Sequence, residues 1–566
     1  MKPITANPSQ IMVEQLAASG LKYVFYNSGS REARFFDALH VHPDIDGILA
    51  LHEGSVTSMA GGYTQVGLDP AVMVVHLGAG LAQCLGQLIN VWSGSLPVVV
   101  ITFAGDTGSY GDKVGLDLSH NVGPTSIAEP FTKACWTVIE PDGLPQAIYR
   151  ALLIARTPPV GPVHLAVYDR LLDDQQVSTQ LIEGAIPMLR AGYPDDADVE
   201  VIARALHDAK RPLIYAGDGI WKSGSEAGLV SFAEQYGIPI AGNWAEMRRV
   251  PKDNALLCGR IDEAVAEIEP DLVLCTGVRL GGRGKPQDFG SLSGADRLIA
   301  VGSDGENLKN IPGLDLGVLA DEGRTLSRLE AQTKADRFAD RRTRAHAQAQ
   351  TLRERRLKTA RRPKPVEGRV RPWVLADHLD RALARAGGGQ VMVEQYAVTL
   401  DGVAEPAPEN VYLRAAGGSE GYGVGGAVGV KLAAPEKPVV GLVGDGSLYY
   451  ADSGMWTAVH HGIPLLYVIS NNESYGIVSG AFSRAEGEMK KSGAYAGVAL
   501  EGIDPVKIAD GFGVEGDRVT EEGGLEAALD AGLNTVTKEQ RPYLLDVRLP
   551  SGLPEGGRGA APYKLV

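Results

Sequence analysis

The sequence predicts an α/β protein with three doubly wound parallel sheets, and two observations predict this fold. The first is a series of short, continuous apolar runs, such as LPVVVITFAG at 96–105, which are typical of strands buried on both faces of a parallel sheet. The second is the alternation of these runs with segments whose apolar residues recur at helical spacing, such as PSQIMVEQLAASG at 8–20.

The first predicted domain covers residues 1–185. After the helix at 8–20, the segment LKYVFYNSGS is predicted to be a strand that runs into a glycine turn. Three apolar runs follow it, at 71–80, 96–105 and 161–168. Strands that alternate with helices in this way indicate a parallel sheet with crossover helices.

The second predicted domain, residues 195–333, contains three more units in which a strand is followed by glycine: RPLIYAGDG, PDLVLCTG and DRLIAVGSD. Such strand ends hold either ligands or sharp turns in α/β sheets, and the sequence leaves both interpretations open. Residues 334–372 then change the composition, because the stretch from Lys334 to Arg371 holds 14 Lys or Arg and four Asp or Glu. Strong helix formers followed by prolines predict a basic helix and an extended linker there.

The third predicted domain covers residues 373–550. Its expected strands lie in GGQVMVEQY, KPVVGLVGDG, IPLLYVISNN and RPYLLDVRL. The last residues, 551–566, are rich in glycine and proline and are predicted to form a tail or a lid.

Composition excludes several classes of protein. The 566 residues carry a formal net charge of −15, whereas a nucleic-acid-binding domain needs a basic surface. The apolar runs are far shorter than the roughly 20 residues of a membrane span. The four cysteines fit no zinc pattern and are predicted to be buried, reduced thiols. We therefore expect a cytoplasmic protein with no nucleic-acid or membrane partner.

One motif in the third domain carries chemistry. A buried strand ends in Gly444-Asp445-Gly446-Ser447, and after 24 intervening residues, 447–470, come Asn471 and Asn472. That interval fits one helix and one more strand, so the two strand ends lie side by side in a parallel sheet. A carboxylate, an amide oxygen and phosphate oxygens together form a magnesium site, and glycine lets the backbone approach a phosphate.

This pairing resembles the cofactor motif of the thiamine-diphosphate-dependent decarboxylase and acetolactate-synthase-like superfamily. The resemblance covers nearly the whole chain, as pyrimidine-binding, central and diphosphate-binding domains. In AAGGSEGYGVGGAVGVKLA and GDGSLYYADSGMWTA the sequence is most similar to the benzoylformate decarboxylases. The resemblance implies thiamine diphosphate and Mg²⁺ as cofactors, with the metal held by Asp445, Asn472 and the Ser474 carbonyl. It also implies cofactor contacts from Gly418, Gly446, Ser447, Asn472, Tyr475, Gly476 and Ile477.

The superfamily predicts a second signature in the first domain, a glutamate that opens a helix. Residues 52–63, HEGSVTSMAGGY, fit it, and Glu53 takes the glutamate position. The resemblance implies that Glu53 is catalytic and hydrogen-bonds the aminopyrimidine ring of the cofactor. By itself, a glutamate at a helix start could simply be favoured by the helix dipole.

The residues expected to contact the substrate are predicted from weaker similarity. Ser30, in VFYNSGSREARFFDAL, takes the position of a substrate-binding serine, and His76, in VVHLGAGLAQCLG, takes that of a catalytic histidine. A histidine can move protons near neutral pH. A turn serine and a strand-end histidine with purely structural roles remain the alternatives.

Two departures from the family pattern stand out. A second catalytic histidine is expected in the central domain, but GVRLGGRGKPQDFG at 277–290 offers Arg283 and Lys285 instead. Glu420 occupies a position where the family places a large apolar residue that supports the cofactor. Because a buried carboxylate is costly without a partner, either the alignment slips by one residue or Glu420 is an acid–base catalytic residue.

The resemblance implies cleavage of the C–C bond next to a carbonyl in a small molecule, first of all non-oxidative decarboxylation of a 2-oxo acid to an aldehyde. The alternative is a C–C lyase or carboligase of the 2-hydroxyacyl-CoA lyase, benzaldehyde lyase or acetolactate synthase type. An inactive regulatory homologue and a flavin or other nucleotide in the central domain also stay open. The family further implies a homodimer or homotetramer with active sites between subunits.

Overall fold

The structure is a computed structural model. It describes residues 1–105, 123–173, 175–243, 245–279, 292 and 294–551, and three short segments, 553–555, 559–561 and 564–565. Arg283 and Lys285 lie outside the described residues. Among the helices it describes, none is long and apolar enough to cross a membrane.

The N-terminal domain is a six-stranded parallel sheet with helices on both faces. Its strands are β2 (Tyr23–Tyr26), β3 (Asp46–Leu49), β4 (Ala71–His76), β5 (Val98–Ala104), β6 (Ala134–Val138) and β7 (Val163–Tyr168). Its helices are α1 (Pro8–Ala18), α2 (Ala33–Val41), α3 (Glu53–Gly67), α4 (Ala79–Gly94) and α5 (Leu144–Arg156). The strands lie in the order β3-β2-β4-β5-β7-β6, and an outer antiparallel pair joins β1 (Lys2–Ala6) to β8 (Val177–Leu181).

Alternation along β4 shows why this sheet is buried on both faces. Val72 and Val74 pack into the core formed with α1, α2 and α5. Met73 and Val75 pack into a second core on the opposite face. Successive side chains of a strand point to opposite faces, so a strand covered on both sides is apolar throughout.

The central domain is also a six-stranded parallel sheet, with a different strand order. Its strands are β9 (Pro212–Ala216), β10 (Ile240–Ala241), β11 (Leu257–Gly259), β12 (Leu272–Thr276), β13 (Leu298–Gly302) and β14 (Leu316–Leu319), in the order β11-β10-β9-β12-β13-β14. Its helices are α6 (Asp196–Asp208), α7 (Gly219–Lys222), α8 (Glu226–Tyr236), α9 (Ile261–Ile268), α10 (Gly305–Leu308) and α11 (Glu322–Glu330).

The basic segment forms the long helix α12 (Ala339–Ala360), which packs on the central domain. Its arginines donate to backbone carbonyls of that domain: Arg341 to Ala209 at 2.6 Å, Arg342 to Glu234 at 2.7 Å and Arg353 to Asn254 at 2.8 Å. The positively charged side chains of α12 therefore form hydrogen bonds within the chain.

The C-terminal domain is the third parallel sheet. Its strands are β15 (Gln390–Glu394), β16 (Val411–Arg414), β17 (Val439–Gly444), β18 (Leu466–Asn471), β20 (Glu515–Val519) and β21 (Tyr543–Arg548), in the order β16-β15-β17-β18-β21-β20. Its helices are α13 (Pro372–Arg385), α14 (Gly423–Ala433), α15 (Asp445–Ala451), α16 (Gly454–His460), α17 (Gly476–Arg484), α18 (Glu488–Ser492), α19 (Pro505–Gly511) and α20 (Glu522–Asn534). The predicted fold class, three parallel α/β sheets, is thus confirmed.

The C-terminal tail folds back on this domain. Its strand β22 (Leu553–Glu555) pairs antiparallel with β23 (Gly559–Ala561). Its strand β24 (Lys564–Leu565) pairs in parallel with β19 (Ala494–Tyr495). The role of this tail as a lid stays a prediction.

The N- and C-terminal domains share one hydrophobic core, in which α3 packs against α14. Glycines make this approach possible, because a Cβ at Gly62 would collide with the Gly426 carbonyl and one at Gly429 with the Met59 carbonyl. A second junction lies at the end of β3, where the Leu49 amide donates to His461 Nε2 at 2.9 Å. The two domains therefore meet closely beside the carboxyl ends of their strands.

Candidate active site

Glu53 is the first residue of α3, at the carboxyl edge of the N-terminal sheet. His52 precedes it in extended conformation and caps the helix, because its Nδ1 accepts the Gly54 amide at 3.0 Å. The Glu53 carboxylate stands beside the start of α4, where a Cβ at Gly80 would lie 3.2 Å from Glu53 Oε1 and 3.1 Å from His76 Cβ. The glycine thus leaves room for Glu53 and His76 to approach one another.

His76 ends β4 and forms a pair with a carboxylate that the sequence reasoning missed. Its Nδ1–H donates to Glu32 Oε1 at 2.8 Å, and the Glu32 side chain is buried. An ionised carboxylate only accepts, so this bond places the proton on Nδ1 and leaves Nε2 for other partners. The remaining oxygen, Glu32 Oε2, is buried and has no hydrogen-bond partner within the described part of the chain.

Ser30 lies beside this pair, in the bend that follows β2. Its side chain is exposed, and its neighbour Gly29 faces both Glu32 and His76. Because β2 and β4 are adjacent in the sheet, the turn after one strand meets the end of the other. An acidic residue in the turn SGSRE, next to a strand that ends in histidine, was the signal from which Glu32 could have been found.

The C-terminal sheet brings the predicted metal ligands together. Asp445 follows β17 and Asn472 follows β18, its neighbour in the sheet. Turned so that its NH₂ group faces Asp445, the Asn472 amide donates to Asp445 Oδ1 at 3.1 Å and to the Ser474 carbonyl at 2.9 Å. Turned the other way, its Oδ1 stands at the same distances from Asp445 Oδ1 and from the Ser474 carbonyl oxygen.

This oxygen cluster fits a hard divalent cation. Asp445 is buried, and its Oδ2 has no hydrogen-bond partner among the described residues. Burial raises the pKa of the Asp445 carboxyl to about 7, against the opposing effect of the Gly446 and Glu473 amides. A buried carboxylate with an open lone pair, beside an amide and a carbonyl oxygen, is a donor set that Mg²⁺ prefers.

Contacts from neighbouring side chains hold the loop that carries Asn472 in place. Asn471 Nδ2 donates to the buried carboxylate of Asp546 at 2.8 Å. Glu473 pairs with Arg369 at 2.6 Å and with Arg548 at 2.5 Å. Outer contacts of this kind keep ligands oriented around a metal.

The predicted cofactor residues surround the same edge. The Tyr475 ring covers Gly446, where a Cβ would lie 2.8 Å from Tyr475 Cε1. The Gly476 amide donates to the Ser474 carbonyl at 2.9 Å, and Ile477 is 49% exposed at the start of α17. Gly418 has a φ of +73° and open space around it, a conformation that favours glycine.

Glu420 has a partner, which accounts for a carboxylate at this position. The Ser447 hydroxyl donates to Glu420 Oε2. From the N-terminal domain, Gln87 Nε2 donates to the Glu420 carbonyl at 2.7 Å and Asn90 Nδ2 donates to the Ser419 carbonyl at 2.7 Å. Gln87 also lies against the start of α3, since a Cβ at Gly54 would lie 3.5 Å from Gln87 Cγ. Gln87 therefore connects the edge that carries Glu53 with the edge that carries Glu420.

Glu394 is a second carboxylate that the sequence reasoning missed. It ends β15 and accepts the amides of Tyr422 at 2.8 Å and Gly423 at 2.6 Å, which lie at the start of α14. Burial raises the pKa of Glu394 to about 8, and the nearby charge of Glu420 adds to this. Glu394 therefore holds the turn that presents Glu420.

A separate crevice lies at the carboxyl edge of the central sheet. Its glycine turn is occupied by the chain itself, because the Gly217 amide donates to Thr276 and the Gly219 amide to Gly277. Asp218 between them pairs with Lys222 at 2.5 Å and Arg279 at 2.9 Å. The turn is thus built as a charged, internally bonded junction.

Comparisons with known proteins agree on one family. Three family models match in chain order: "Thiamine pyrophosphate enzyme, N-terminal TPP binding domain" at residues 7–122, the central domain at 199–329 and the C-terminal TPP binding domain at 393–547.

The full-length relatives cover almost the same span. The chain is 27% identical to benzoylformate decarboxylase of Pseudomonas aeruginosa, over 94% of this chain and 97% of the relative. It is 26% identical to the acetolactate synthase large subunit of Lactococcus lactis, over 83% and 81%. Among solved structures, a thiamine diphosphate-dependent 4-hydroxybenzoylformate decarboxylase of Rhodococcus jostii superposes with a TM-score of 0.79 at 24% identity, over 96% of this chain and 99% of that one. This last likeness shows the shared fold.

Proposed function

We propose that the chain, which belongs to the thiamine pyrophosphate enzymes, uses thiamine diphosphate and Mg²⁺ to cleave the C–C bond next to a carbonyl. Its proposed reaction is the non-oxidative decarboxylation of a 2-oxo acid to an aldehyde. One observation carries the proposal: the oxygens of Asp445, Asn472 and Ser474 meet at adjacent strand ends, with one carboxylate oxygen left open.

The residues of the C-terminal edge would hold the cofactor. Asp445, Asn472 and the Ser474 carbonyl would bind Mg²⁺, which in turn binds the diphosphate. The remaining contacts would come from Gly418, Gly446, Ser447, Tyr475, Gly476 and Ile477. Bound thiamine diphosphate supplies a nucleophilic carbon and an electron sink for the bond that breaks.

The residues of the N-terminal edge would handle protons and substrate. Glu53 would hold a proton at the aminopyrimidine ring. His76, oriented by Glu32 through Nδ1, would move a proton to or from the substrate with its Nε2. Ser30 would bind the substrate from the exposed bend beside them. Of the charged groups at the edge of the C-terminal sheet, we include only Glu420 among the catalytic residues, since it contacts Ser447.

We also propose that a second copy of the chain completes the site, as a homodimer or homotetramer. Large apolar side chains at the two edges are exposed in the single chain: Leu51, Tyr396, Tyr450, Ile477 and Val478. Exposed apolar surface of this kind typically marks an interface. The four cysteines are free, which supports a reducing compartment such as the cytoplasm.

The test is to incubate the protein with thiamine diphosphate, Mg²⁺ and benzoylformate and to measure carbon dioxide and benzaldehyde. Aliphatic 2-oxo acids serve as a second panel. We expect carbon dioxide from at least one 2-oxo acid, and none when Mg²⁺ is removed by a chelator. Cofactor binding without turnover of any 2-oxo acid would contradict decarboxylation.

A carboligase is the second candidate. It is favoured by the similarity to an acetolactate synthase and by the absence of histidine from residues 277–290, where the benzoylformate decarboxylase resemblance expects one. The same incubation with an aldehyde added distinguishes the two, because a carboligase joins two carbonyl compounds. Formation of a hydroxyketone from added aldehyde, without net release of aldehyde, would replace decarboxylation by carboligation as the main activity.

A further inference from the structure

The Ser447 hydroxyl is already engaged in the protein alone. It donates to Glu420 Oε2, and both side chains lie at the carboxyl edge of the C-terminal sheet. A serine hydroxyl has one proton to donate, and an ionised carboxylate can only accept. Ser447 can therefore donate to Glu420 or to a phosphate oxygen, but it cannot do both with good geometry.

The main chain at Glu420 is held in place, so only its side chain is free to turn. Gln87 and Asn90, both buried on α4, donate to the carbonyls of Glu420 and Ser419 at 2.7 Å each. The Ser419 amide donates back to Asn90 Oδ1 at 3.3 Å. Three atoms of the N-terminal domain, Gln87 Nε2, Asn90 Nδ2 and Asn90 Oδ1, thus hold the main chain from which the Glu420 side chain extends. Separation from Ser447 requires rotation of the Glu420 or Ser447 side chain.

The negative charge of Glu420 opposes diphosphate binding in addition to the competition for the Ser447 proton. Glu420 raises the pKa of the neighbouring Glu394 and Tyr396, in addition to the larger effect of their burial. These shifts show that the Glu420 carboxylate acts as a negative charge beside the serine that the proposed function assigns to the diphosphate. A like charge beside a binding position opposes the binding of another anion there.

We propose that Glu420 competes with the diphosphate of the cofactor for the single hydroxyl proton of Ser447 and must turn away when the cofactor binds. This inference rests on the proposed function, because it takes Ser447 as a diphosphate ligand. Through this competition, Glu420 limits the affinity of the protein for the cofactor and lets bound cofactor exchange. This role is in addition to any role of Glu420 in the reaction.

The experiment is titration calorimetry of thiamine diphosphate with saturating Mg²⁺ against the full-length wild type, Glu420→Ala, Glu420→Gln and Ser447→Ala. We expect Glu420→Ala to bind about tenfold more tightly, since a hydrogen bond to a charged group contributes about 1.5–3 kcal/mol and tenfold in affinity corresponds to about 1.4 kcal/mol. Glu420→Gln, which keeps an acceptor but loses the charge, should fall between. Ser447→Ala should bind more weakly.

A double variant separates competition from general charge. If the two acceptors compete for one proton, Glu420→Ala gains less affinity in the Ser447→Ala background than in the wild type. Inorganic pyrophosphate with Mg²⁺ is the second probe and should follow the same order. Glu488→Ala, which removes an exposed glutamate at the start of α18, is the matched control and should leave both affinities unchanged.

Each outcome has a definite meaning. Weaker binding by Glu420→Ala would show that Glu420 holds the cofactor, and unchanged binding would show that no competition exists; either result overturns the inference alone. A wild type that binds no thiamine diphosphate in Mg²⁺ would overturn the proposed function and the inference together. The melting temperature of each cofactor-free variant, expected within a few degrees of the wild type, establishes that it folds.

Discussion

The N-terminal and C-terminal domains are built on the same strand order but carry opposite chemistry. In each sheet the second strand lies outermost, followed by the first, third, fourth, sixth and fifth. The third strand ends in His76 in one domain and leads to Asp445 in the other. The helix after the second strand begins at Glu53 in one and follows Glu420 in the other. The shared frame provides equivalent positions, and the side chains decide what each position does.

The neighbours of these positions explain the difference. His76 faces a buried carboxylate, Glu32, so this edge is suited to hold and move a proton. Asp445 faces an amide and a carbonyl oxygen, so the other edge is suited to bind a cation and a phosphate. The central domain, with its strands in a different order, has an internally paired Asp218 at its glycine turn. Equal topology therefore does not imply equal function, since sites depend on a few side chains at strand ends.

The strongest test of this division is Asp445→Asn. Loss of the carboxylate should weaken Mg²⁺-dependent binding of thiamine diphosphate by at least about a hundredfold, because even outer-shell changes cost metal sites about 10–100-fold. Titration calorimetry measures this affinity. Asp452→Asn, at the end of the same helix, is the control and should bind as the wild type does. Equal affinity in the wild type and Asp445→Asn would remove Asp445 from the metal site.

The matching change in the N-terminal domain is Glu53→Gln. If this edge serves proton transfer, kcat should fall by roughly 10²–10⁴-fold, the usual contribution of a general acid or base. Cofactor affinity should change far less than in Asp445→Asn. Steady-state kinetics and calorimetry on the same preparation measure both quantities, and Glu488→Gln at another helix start is the control. A loss of affinity as large as that of Asp445→Asn would erase the contrast between the edges.

Glu32→Gln tests the positioning role of the buried carboxylate. We expect kcat to fall by about 10–100-fold with a smaller change in KM, by analogy with the groups that orient the histidines of metal sites, whose loss has effects of this size. Adding His76→Gln to Glu32→Gln should cause less loss than His76→Gln causes alone, because the two residues act as a unit. Glu14→Gln removes the carboxylate that faces His42 on the surface of the same domain, and it should leave kcat unchanged. Additive losses from Glu32 and His76 would contradict the pair.

The smallest expected effect concerns the junction between the two domains. Burial, and next to it the charge of His460, lowers the pKa of His461, and its neutral Nε2 accepts the Leu49 amide. A lowered pKa in the folded state means that this contribution to stability is complete above the ordinary histidine pKa of about 6.5. It is lost as the pH falls below that value, because the unfolded chain then binds a proton more readily.

Melting temperatures between pH 8 and pH 5 check this expectation. Replacing His461 by Gln keeps an acceptor but removes the titration, so the melting temperature of His461→Gln should fall less with pH than that of the wild type. The free energy of unfolding near pH 8 should change by about 1 kcal/mol at most, the typical net value of one hydrogen bond. His40→Gln, at an exposed helix end, should follow the wild type. Parallel curves for the wild type and His461→Gln would rule out His461 as the titrating group.

Some of the site could be predicted because its signals are local. Asp445 and Asn472 each follow an apolar strand, and parallel neighbours end at one edge, so their approach follows from the sequence pattern. Glu394 and Gln87 gave no such local signal, and the turn that carries Glu32 gave one only in combination with the end of β4. Glu32 lies 44 residues from His76, and Gln87 lies 333 residues from Glu420. Their roles depend on contacts between elements that are distant in the chain.

The sequence by itself determined the three parallel sheets and the places where polar side chains leave them, because period-2 burial and glycine turns are properties of short segments. Only the tertiary structure decided the partners of those side chains. It paired His76 with Glu32, brought the α4 amides to the Glu420 turn, and directed the Ser447 hydroxyl to a carboxylate. These pairings depend on how one sheet and its helices meet the next, and on the burial that results, which no single segment of the chain contains.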